Sequence, residues 1–535
     1  MKEKITAVLQ KILKDINVEN ENIVIEIPKN KENGDYSSNI ALKLAGKLNK
    51  KPADIANEII NKISEDWLEK VEIAGPGFIN FYLKKDYLLE NINTVISLNE
   101  KYGSNTLGQN KKVNIEFVSA NPTGILHMGN ARGGAYGDSL ARIMSFCGYD
   151  VTKEYYLNDA GVQTDKLAKS IYSRYLTFCG IDNKFPEEGY PGKEIIDIAE
   201  IIFDEYQDKL VDNDLSFFKE KGVEFLTKQI FDDLKEYRIN YDVITSEKSI
   251  YKKYPLERVI EELDNNGYIY KKDGATWFKS SELYDDMDHV LVKSDGTNTY
   301  LLPDIAYHKD KYERGFDYLI DVLGTDHHGY VSRLKSAIKA LGYDDKALEV
   351  KLLQLVRIVE KGQVVTMHKR SGNIITLKNL IDEVGVNAAR YFFSKSSLDT
   401  QMDFDIELAK SKTNDNPVYY VGYAYARICS ILRKYPELKT AEEYTTIKEE
   451  PAYDLLACVY NFPEVVIMSC NKKMPHLITN YVYDLASLFH TYYEKCRVIC
   501  DDEKQTIENL NLIKSVKITL FNALNLIGVE PDERM

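Results

Sequence analysis

The chain has 535 residues, 44% of them hydrophobic and 28% charged, with a formal net charge of −14. At about 150 residues per domain that length suggests three or four cores, and no stretch approaches the roughly 20 apolar residues of a membrane span. The start, Met1-Lys2-Glu3-Lys4, lacks a signal peptide's apolar run, so a cytoplasmic protein with no membrane partner is expected.

Residues 1 to about 105 mix helix-like runs with strands at 24–27 and 78–83, an α+β N-terminal domain with no evident catalytic content. From Lys112 strands and helices alternate. This predicts an α/β catalytic domain over 106–405, doubly wound in the Rossmann manner, with ligands at the carboxyl ends of its strands. Candidate strands lie near Val113, Val151 and Tyr318 and over 352–359, and the charged helical stretch at about 165–285 reads as an inserted connective domain. Beyond Lys410 strand signals fade. Helical patterns starting near Pro417, Asp454, Pro475 and Glu503 predict an α-helical domain over 410–535, with a surface loop at 442–451.

Chemistry concentrates at three places. At 116–132 an apolar strand runs through Pro122 and Gly124 into a helix, with His127 and Asn130 three apart in its first turn and Gly129 between them. Unpaired N–H groups and the positive dipole end attract anions there, and Gly129 permits close approach of a phosphate. Farther on, Thr366-Met367-His368-Lys369-Arg370-Ser371-Gly372 is a basic loop that can set an ammonium against charge developing on phosphates. It lies in a basic stretch, 361–395, which offsets the argument that an acidic chain suits nucleic acid poorly. Third, Tyr419, Tyr420, Tyr423 and Tyr425 crowd one helix start in a chain with 38 tyrosines, where rings either stack on unpaired bases or fill helix contacts. The seven cysteines form no Cys-x-x-Cys pair, and Cys496 and Cys500, four apart on an apparent helix, read as packing residues, so no structural zinc is expected.

The first motif, His127-Met-Gly129-Asn130, resembles the His-x-Gly-His signature of class I aminoacyl-tRNA synthetases, with Asn130 in place of the second His; the basic loop resembles their Lys-Met-Ser-Lys loop, with Thr366 and His368 departing from it and Lys369 retained. Further stretches resemble arginyl-tRNA synthetases: 116–121, 155–163, Tyr300-Leu-Leu-Pro-Asp304, Gly324-Thr-Asp326-His327-His328-Gly329, 414–427 and the end at Met535. The resemblance implies arginine held by Glu116, Ser119, Asn121, Tyr300 and Asp304, since a guanidinium needs planar acceptors. It implies ATP, with Mg²⁺ arriving on it, at Gly129, Gly324, Asp326, His327, His328, Met367 and Lys369, and catalytic roles for His127, Asn130 and Lys369.

It further implies a tRNA-elbow function for the N-terminal domain and anticodon binding by Tyr420, Tyr423 and Met535 of the helical domain. The expected partners are L-arginine, ATP and tRNA(Arg), in a monomer that needs bound tRNA before it activates arginine. Two other classes stay open: a small-molecule nucleotidyltransferase, which would not need the helical domain, and a catalytically inactive RNA-binding paralogue, for which Thr366 and His368 speak. Adjacent His327 and His328 also leave a metal site as the alternative to nucleotide binding.

Overall fold

Helix α1 (Lys2–Asp15) buries Ile5, Leu9, Ile12 and Leu13 along one stripe. With α2 (Ile40–Leu48) and α3 (Pro52–Ile60) it covers an antiparallel sheet of β1 (Ile25–Glu26), β2 (Tyr36–Ser38), β3 (Leu68–Ala74) and β4 (Phe78–Leu83), in spatial order β1-β2-β4-β3. Helix α4 (Lys85–Leu98) then leads into the centre of the molecule. In this computed structural model the described residues are all except 19–20, 29, 326–328, 361–362 and 366–374.

The central sheet begins with β5 (Lys112–Glu116), α5 (Met128–Phe146) and β6 (Asp150–Leu157). Three helices follow, α6 (Val162–Phe178), α7 (Lys193–Tyr206) and α8 (Leu215–Glu236), which share their own core of Leu167, Ile171, Tyr175, Ile198 and Phe218. The stretch at 165–285 is therefore not a single block, because β7 (Val243–Ser246) returns to the central sheet before α9 (Glu247–Lys253) and α10 (Leu256–Asn265). A small antiparallel sheet, β8 (Ile269–Lys272), β9 (Ala275–Phe278) and β10 (His289–Val292), closes the excursion. The chain re-enters with α11 (Leu301–Glu313), β11 (Tyr318–Gly324), α12 (Tyr330–Ala340) and β12 (Leu348–Leu353). All pairings are parallel in the order β12-β11-β5-β6-β7, so the direction of winding reverses between β5 and β11. The carboxyl ends of those two strands flank the crevice where such sheets bind ligands.

The expected single strand over 352–359 is two. β12 stops at Leu353, and β13 (Val356–Glu360) joins a second sheet with β14 (Gln363–Val365) and β15 (Met402–Asp405). Arg132 of α5 explains the break. Its buried guanidinium binds the Gln354 carbonyl at 2.9 Å and those of Ser397 and Thr400 at 2.7 and 2.8 Å, turning the chain away from the central sheet. Helices α13 (Leu377–Val384), α14 (Val386–Ser394) and α15 (Ile406–Lys410) complete this part.

Helices α16 (Pro417–Leu432), α17 (Glu450–Lys472), α18 (His476–Lys495) and α19 (Glu503–Leu526) form the C-terminal bundle. Pro417 takes the first position of α16 after the Asn416 cap, where its missing N–H costs nothing. Cys496 ends α18 and Cys500 follows in a turn, so the two do not share a helix as their spacing suggests. A buried ion pair ties the bundle to α5: Arg390 Nη2 meets Asp138 Oδ2 at 2.6 Å, and Arg390 Nε binds the Ile527 carbonyl at 3.0 Å. Burial would raise the Asp138 carboxyl, but Arg390, Arg142 and Lys153 outweigh it and hold the group below the usual range. Gly528 lies at φ +68°, and a Cβ there would stand 2.1 Å from Arg390 Nε, so this turn admits only glycine.

Candidate active site

Strand β5 delivers Glu116 to the crevice and then turns sharply. Val118 and Ser119 both have positive φ, 68° and 35°, an arrangement that costs a β-branched residue on the order of 1–3 kcal/mol and is held by its surroundings. Ser119 Oγ accepts from Tyr156 N at 3.0 Å, and Phe117 fits against α5 so closely that a Cβ at Gly137 would come within 2.2 Å of its ring. The strain buries Phe117 under the helix and turns Ser119 and Asn121 to the cleft.

Helix α5 starts as a reciprocal cap. His127 Nδ1 accepts from Gly129 N at 3.1 Å, and Asn130 Oδ1 accepts from His127 N at 3.0 Å. The sequence predicts two side chains presented in parallel to an anion; each instead accepts from a backbone N–H of the first turn, His127 from Gly129 and Asn130 from His127, with His127 as the cap residue itself. An accepting Nδ1 puts the proton of the neutral ring on Nε2, leaving it a donor.

The cleft above the sheet measures ≈ 1020 Å³ and gathers Glu116, Ser119, Asn121, Tyr300, Asp304 and Gly324. Strand β5, helix α11 and the end of β11 thus bring together these six residues that the sequence singles out. Tyr300 is 72% exposed at the rim. Asp304 accepts from the Tyr330 hydroxyl, and burial, only partly opposed by that bond and by His308, raises its carboxyl above the ordinary range.

The cleft also holds residues that sequence reasoning left unassigned. Glu247, at the start of α9, is buried, accepts from the Tyr251 hydroxyl and is likewise raised, mainly by burial. Asn158 and Gln163 line the same wall. Glu116 does not face the cleft alone, because Lys311 Nζ meets its Oε2 at 2.6 Å. No signal in the sequence ties Lys311 or Glu247 to Glu116, since helices α11 and α9, distant in the chain, bring them to the cleft.

Asp326, His327, His328, Met367 and Lys369 lie outside the described residues. The described flanks of the basic loop are informative. β14 leads into it, and beyond it Thr376 bridges His127, with Leu377 N donating to the Leu126 carbonyl at 2.8 Å. Among the described residues no three His, Cys, Asp or Glu side chains converge as a metal-binding group.

On the bundle, Tyr419 and Tyr423 stack with centroids 6.2 Å apart, and Tyr420 lies 4.4 Å from the His490 ring. Arg427 sits between the Tyr423 and Tyr493 rings, 4.4 and 4.5 Å from their centroids. Tyr425 is buried against Phe521, so it belongs to the core while Tyr420 and Tyr423 are half-exposed. Met535 lies over Gly422, and Tyr419 borders the same groove.

Residues 1–83, 91–405 and 421–535 match the family descriptions arginyl tRNA synthetase N terminal domain, tRNA synthetases class I (R) catalytic domain, and DALR anticodon binding domain, respectively. The arginine–tRNA ligase of Bacillus subtilis (strain 168) is 48% identical over 525 residues, which cover 96% of this chain and 94% of that protein. That of Geobacillus kaustophilus is 46% identical over 525 residues with the same coverage, 96% and 94%. Thermus thermophilus arginyl-tRNA synthetase shares the fold, with a TM-score of 0.80 at 19% identity over 100% of both chains.

Proposed function

The chain belongs to the arginyl-tRNA synthetase family, whose N-terminal, class I catalytic and DALR domains it carries in order, and we propose that the cleft at the switch point of its sheet is where arginine is activated. The reaction joins L-arginine to ATP as arginyl-adenylate with release of pyrophosphate, then passes the arginyl group to the 3′ terminal adenosine of tRNA(Arg). Its domains are taken as 1–105 for the tRNA elbow, 106–405 for catalysis and 410–535 for the anticodon. The observation that carries the reading is the convergence of Glu116, Ser119, Asn121, Tyr300 and Asp304 on one cavity at the carboxyl ends of β5 and β11.

In this reading Asp304 and Glu116, with Glu247 as a third acid, balance the guanidinium, Tyr300 closes over the side chain, and Ser119 and Asn121 hold the backbone end. The arginine carboxylate attacks the α-phosphorus in line, a bond forms to its oxygen and the bond to pyrophosphate breaks, so the protein's work is alignment and charge stabilisation. His127 donates from Nε2 to the triphosphate while the α5 N–H groups supply further donors. Asn130 supports His127 by accepting from its N–H, a role distinct from direct phosphate contact. Gly129, Gly324, Asp326, His327, His328 and Met367 are assigned to the adenosine side by family motif, and Lys369 to the pyrophosphate. Mg²⁺ is assigned to ATP as its counterion.

Tyr420, Tyr423 and Met535 are assigned to the anticodon. The reading extends to a cytoplasmic monomer, for sedimentation equilibrium and cell fractionation to test. ATP–pyrophosphate exchange with arginine, with and without tRNA(Arg), tests the whole: exchange dependent on arginine and on tRNA is expected. Exchange independent of tRNA would favour a small-molecule nucleotidyltransferase, and tRNA binding without exchange an inactive paralogue.

A further inference from the structure

Glu154, Glu116 and Asp321 stand side by side on β6, β5 and β11, Glu116 being the register partner of both others. Residues in register on adjacent strands project to the same face. Three carboxylates therefore form one row beneath α11, with side chains 0%, 9% and 2% exposed. Such a row is untenable without cations.

Helix α11 and the residue after it supply them from one side. Asp304, His308 and Lys311 recur at helical spacing, four and three residues apart, and Arg314 follows by three. His308 Nε2 meets Asp321 Oδ2 at 2.7 Å; Lys311 Nζ bridges Asp321 Oδ1 at 2.8 Å and Glu116 Oε2 at 2.6 Å; Arg314 Nη2 meets both Glu154 oxygens at 2.9 and 2.7 Å. Lys311 is fully buried, with its ammonium 4.4 Å from the Tyr307 ring centroid, and neither the fold's main core nor the adenylation chemistry uses it.

We propose that Lys311 is a positioning residue for arginine: by bridging β5 and β11 from α11 it fixes the orientation and charge of Glu116 and sets Asp304 and Tyr300 at a working distance from that strand. The two halves of the pocket come from different elements, Glu116 and Ser119 from the carboxyl end of the central strand β5 and the turn after it, and Tyr300 and Asp304 from the start of α11. The ionic row is what joins them. With Oε2 taken by Lys311, Glu116 offers the cleft its other oxygen in one rotamer, beside Asp304 and Glu247 on the same lining, so the guanidinium meets acids that are already fixed in place.

The proposal rests on the assignment of Asp304 and Glu116 to arginine, and the test separates the two. In Lys311→Met the KM for arginine should rise about tenfold or more, as for loss of a charged hydrogen bond, while the KM for ATP stays within about twofold. Lys311→Arg should recover most of the loss. A purely structural role would move the two KM values together and would not be rescued by restoring the charge alone.

Should Lys311→Met fail to fold, pairing it with Asp321→Asn removes one charge of each sign, and the raised arginine KM should persist in that double variant. An unchanged arginine KM in the folded variant, equal losses for arginine and ATP, or a lowered Tm with both KM values intact would each overturn the proposal. Asp304→Asn is measured alongside. If it raises the arginine KM and Lys311→Met does not, only this proposal falls; if it too is silent, the pocket assignment falls and the proposal with it.

Discussion

The cleft and the C-terminal bundle hold their candidate substrate-binding side chains by opposite means. In the cleft, Glu116 and Glu247 are buried and Asp304 half-buried, and each is tied to a fixed partner: Glu116 to Lys311, Asp304 to Tyr330, Glu247 to Tyr251. On the bundle, Tyr419, Tyr420 and Tyr423 are half-exposed and stack on one another or on His490 and Arg427. A buried charge that loses its partner pays a large penalty, whereas a lost stacking contact costs roughly 1–3 kcal/mol and leaves nothing stranded. Substitutions in the cleft should therefore be severe and selective for one ligand, and those on the bundle milder and graded.

The largest effect is expected where charge develops only in the transition state. Lys369→Ala should slow adenylate formation by about 10²-fold or more while leaving arginine affinity nearly intact, because Thr366 supplies no second cation. Thr366→Lys in that background should restore part of the rate. Single-turnover activation equal to wild type would make the loop structural and the contrast between rigid cleft and graded bundle less sharp.

Next comes Asp304→Asn, which replaces a charge-assisted bond by a neutral one and should raise the arginine KM by about thirtyfold with ATP little affected. The raised carboxyls add a pH signature. Asp304 and Glu247 are lifted chiefly by burial, so each takes up a proton at a higher pH than an ordinary carboxylate, and a bound guanidinium favours the ionised form. Arginine affinity should accordingly weaken as pH falls through the raised values. Once the pH has fallen into that raised range, binding should release protons, seen in titration calorimetry as an enthalpy that depends on the buffer's ionisation heat. No proton release would mean that these acids are ionised before arginine arrives.

What the sequence made legible follows the same division. Residues close in the chain were readable: His127 with Asn130, Tyr300 with Asp304, Pro417 at a helix start. Pairings made between elements far apart in the chain were not. Lys311 lies 195 positions from Glu116, and nothing local marks it as the partner. β7, Val243–Ser246, is four residues long between helices, too short for an alternating pattern to stand out. Its neighbour Glu247, the third acid of the cleft, went unread with it. Among the tyrosines, helical spacing put Tyr425 beside Tyr420 and Tyr423 but could not tell that it turns inward to Phe521.

On the bundle, Tyr423→Ala should raise the KM for tRNA about tenfold, within roughly 1–3 kcal/mol for one stacked base, with arginine and ATP untouched. If the tyrosines only fill helix contacts, the same variant would lower Tm and leave equilibrium tRNA binding of the folded protein unchanged. Such a result would erase the comparison, since both regions would then be scaffolds judged by stability.

The smallest effect belongs to Gly422, and it divides stability from binding most cleanly. Gly422 lies inside α16, where glycine costs roughly 1 kcal/mol relative to alanine. A Cβ there would come 2.9 Å from Met535 Sδ, the far part of a flexible side chain that is 59% exposed and can swing away. Gly422→Ala should thus raise Tm modestly while displacing Met535 from the groove beside Tyr419. If Met535 contributes to holding the anticodon, the tRNA KM should rise about threefold, on the scale of a weak sulfur–aromatic contact, even as the bundle gains stability. The two quantities would move in opposite directions, which no loss of folding can imitate. A stabilised variant with unchanged tRNA affinity would remove Met535 from the interface and leave Tyr420 and Tyr423 to carry it.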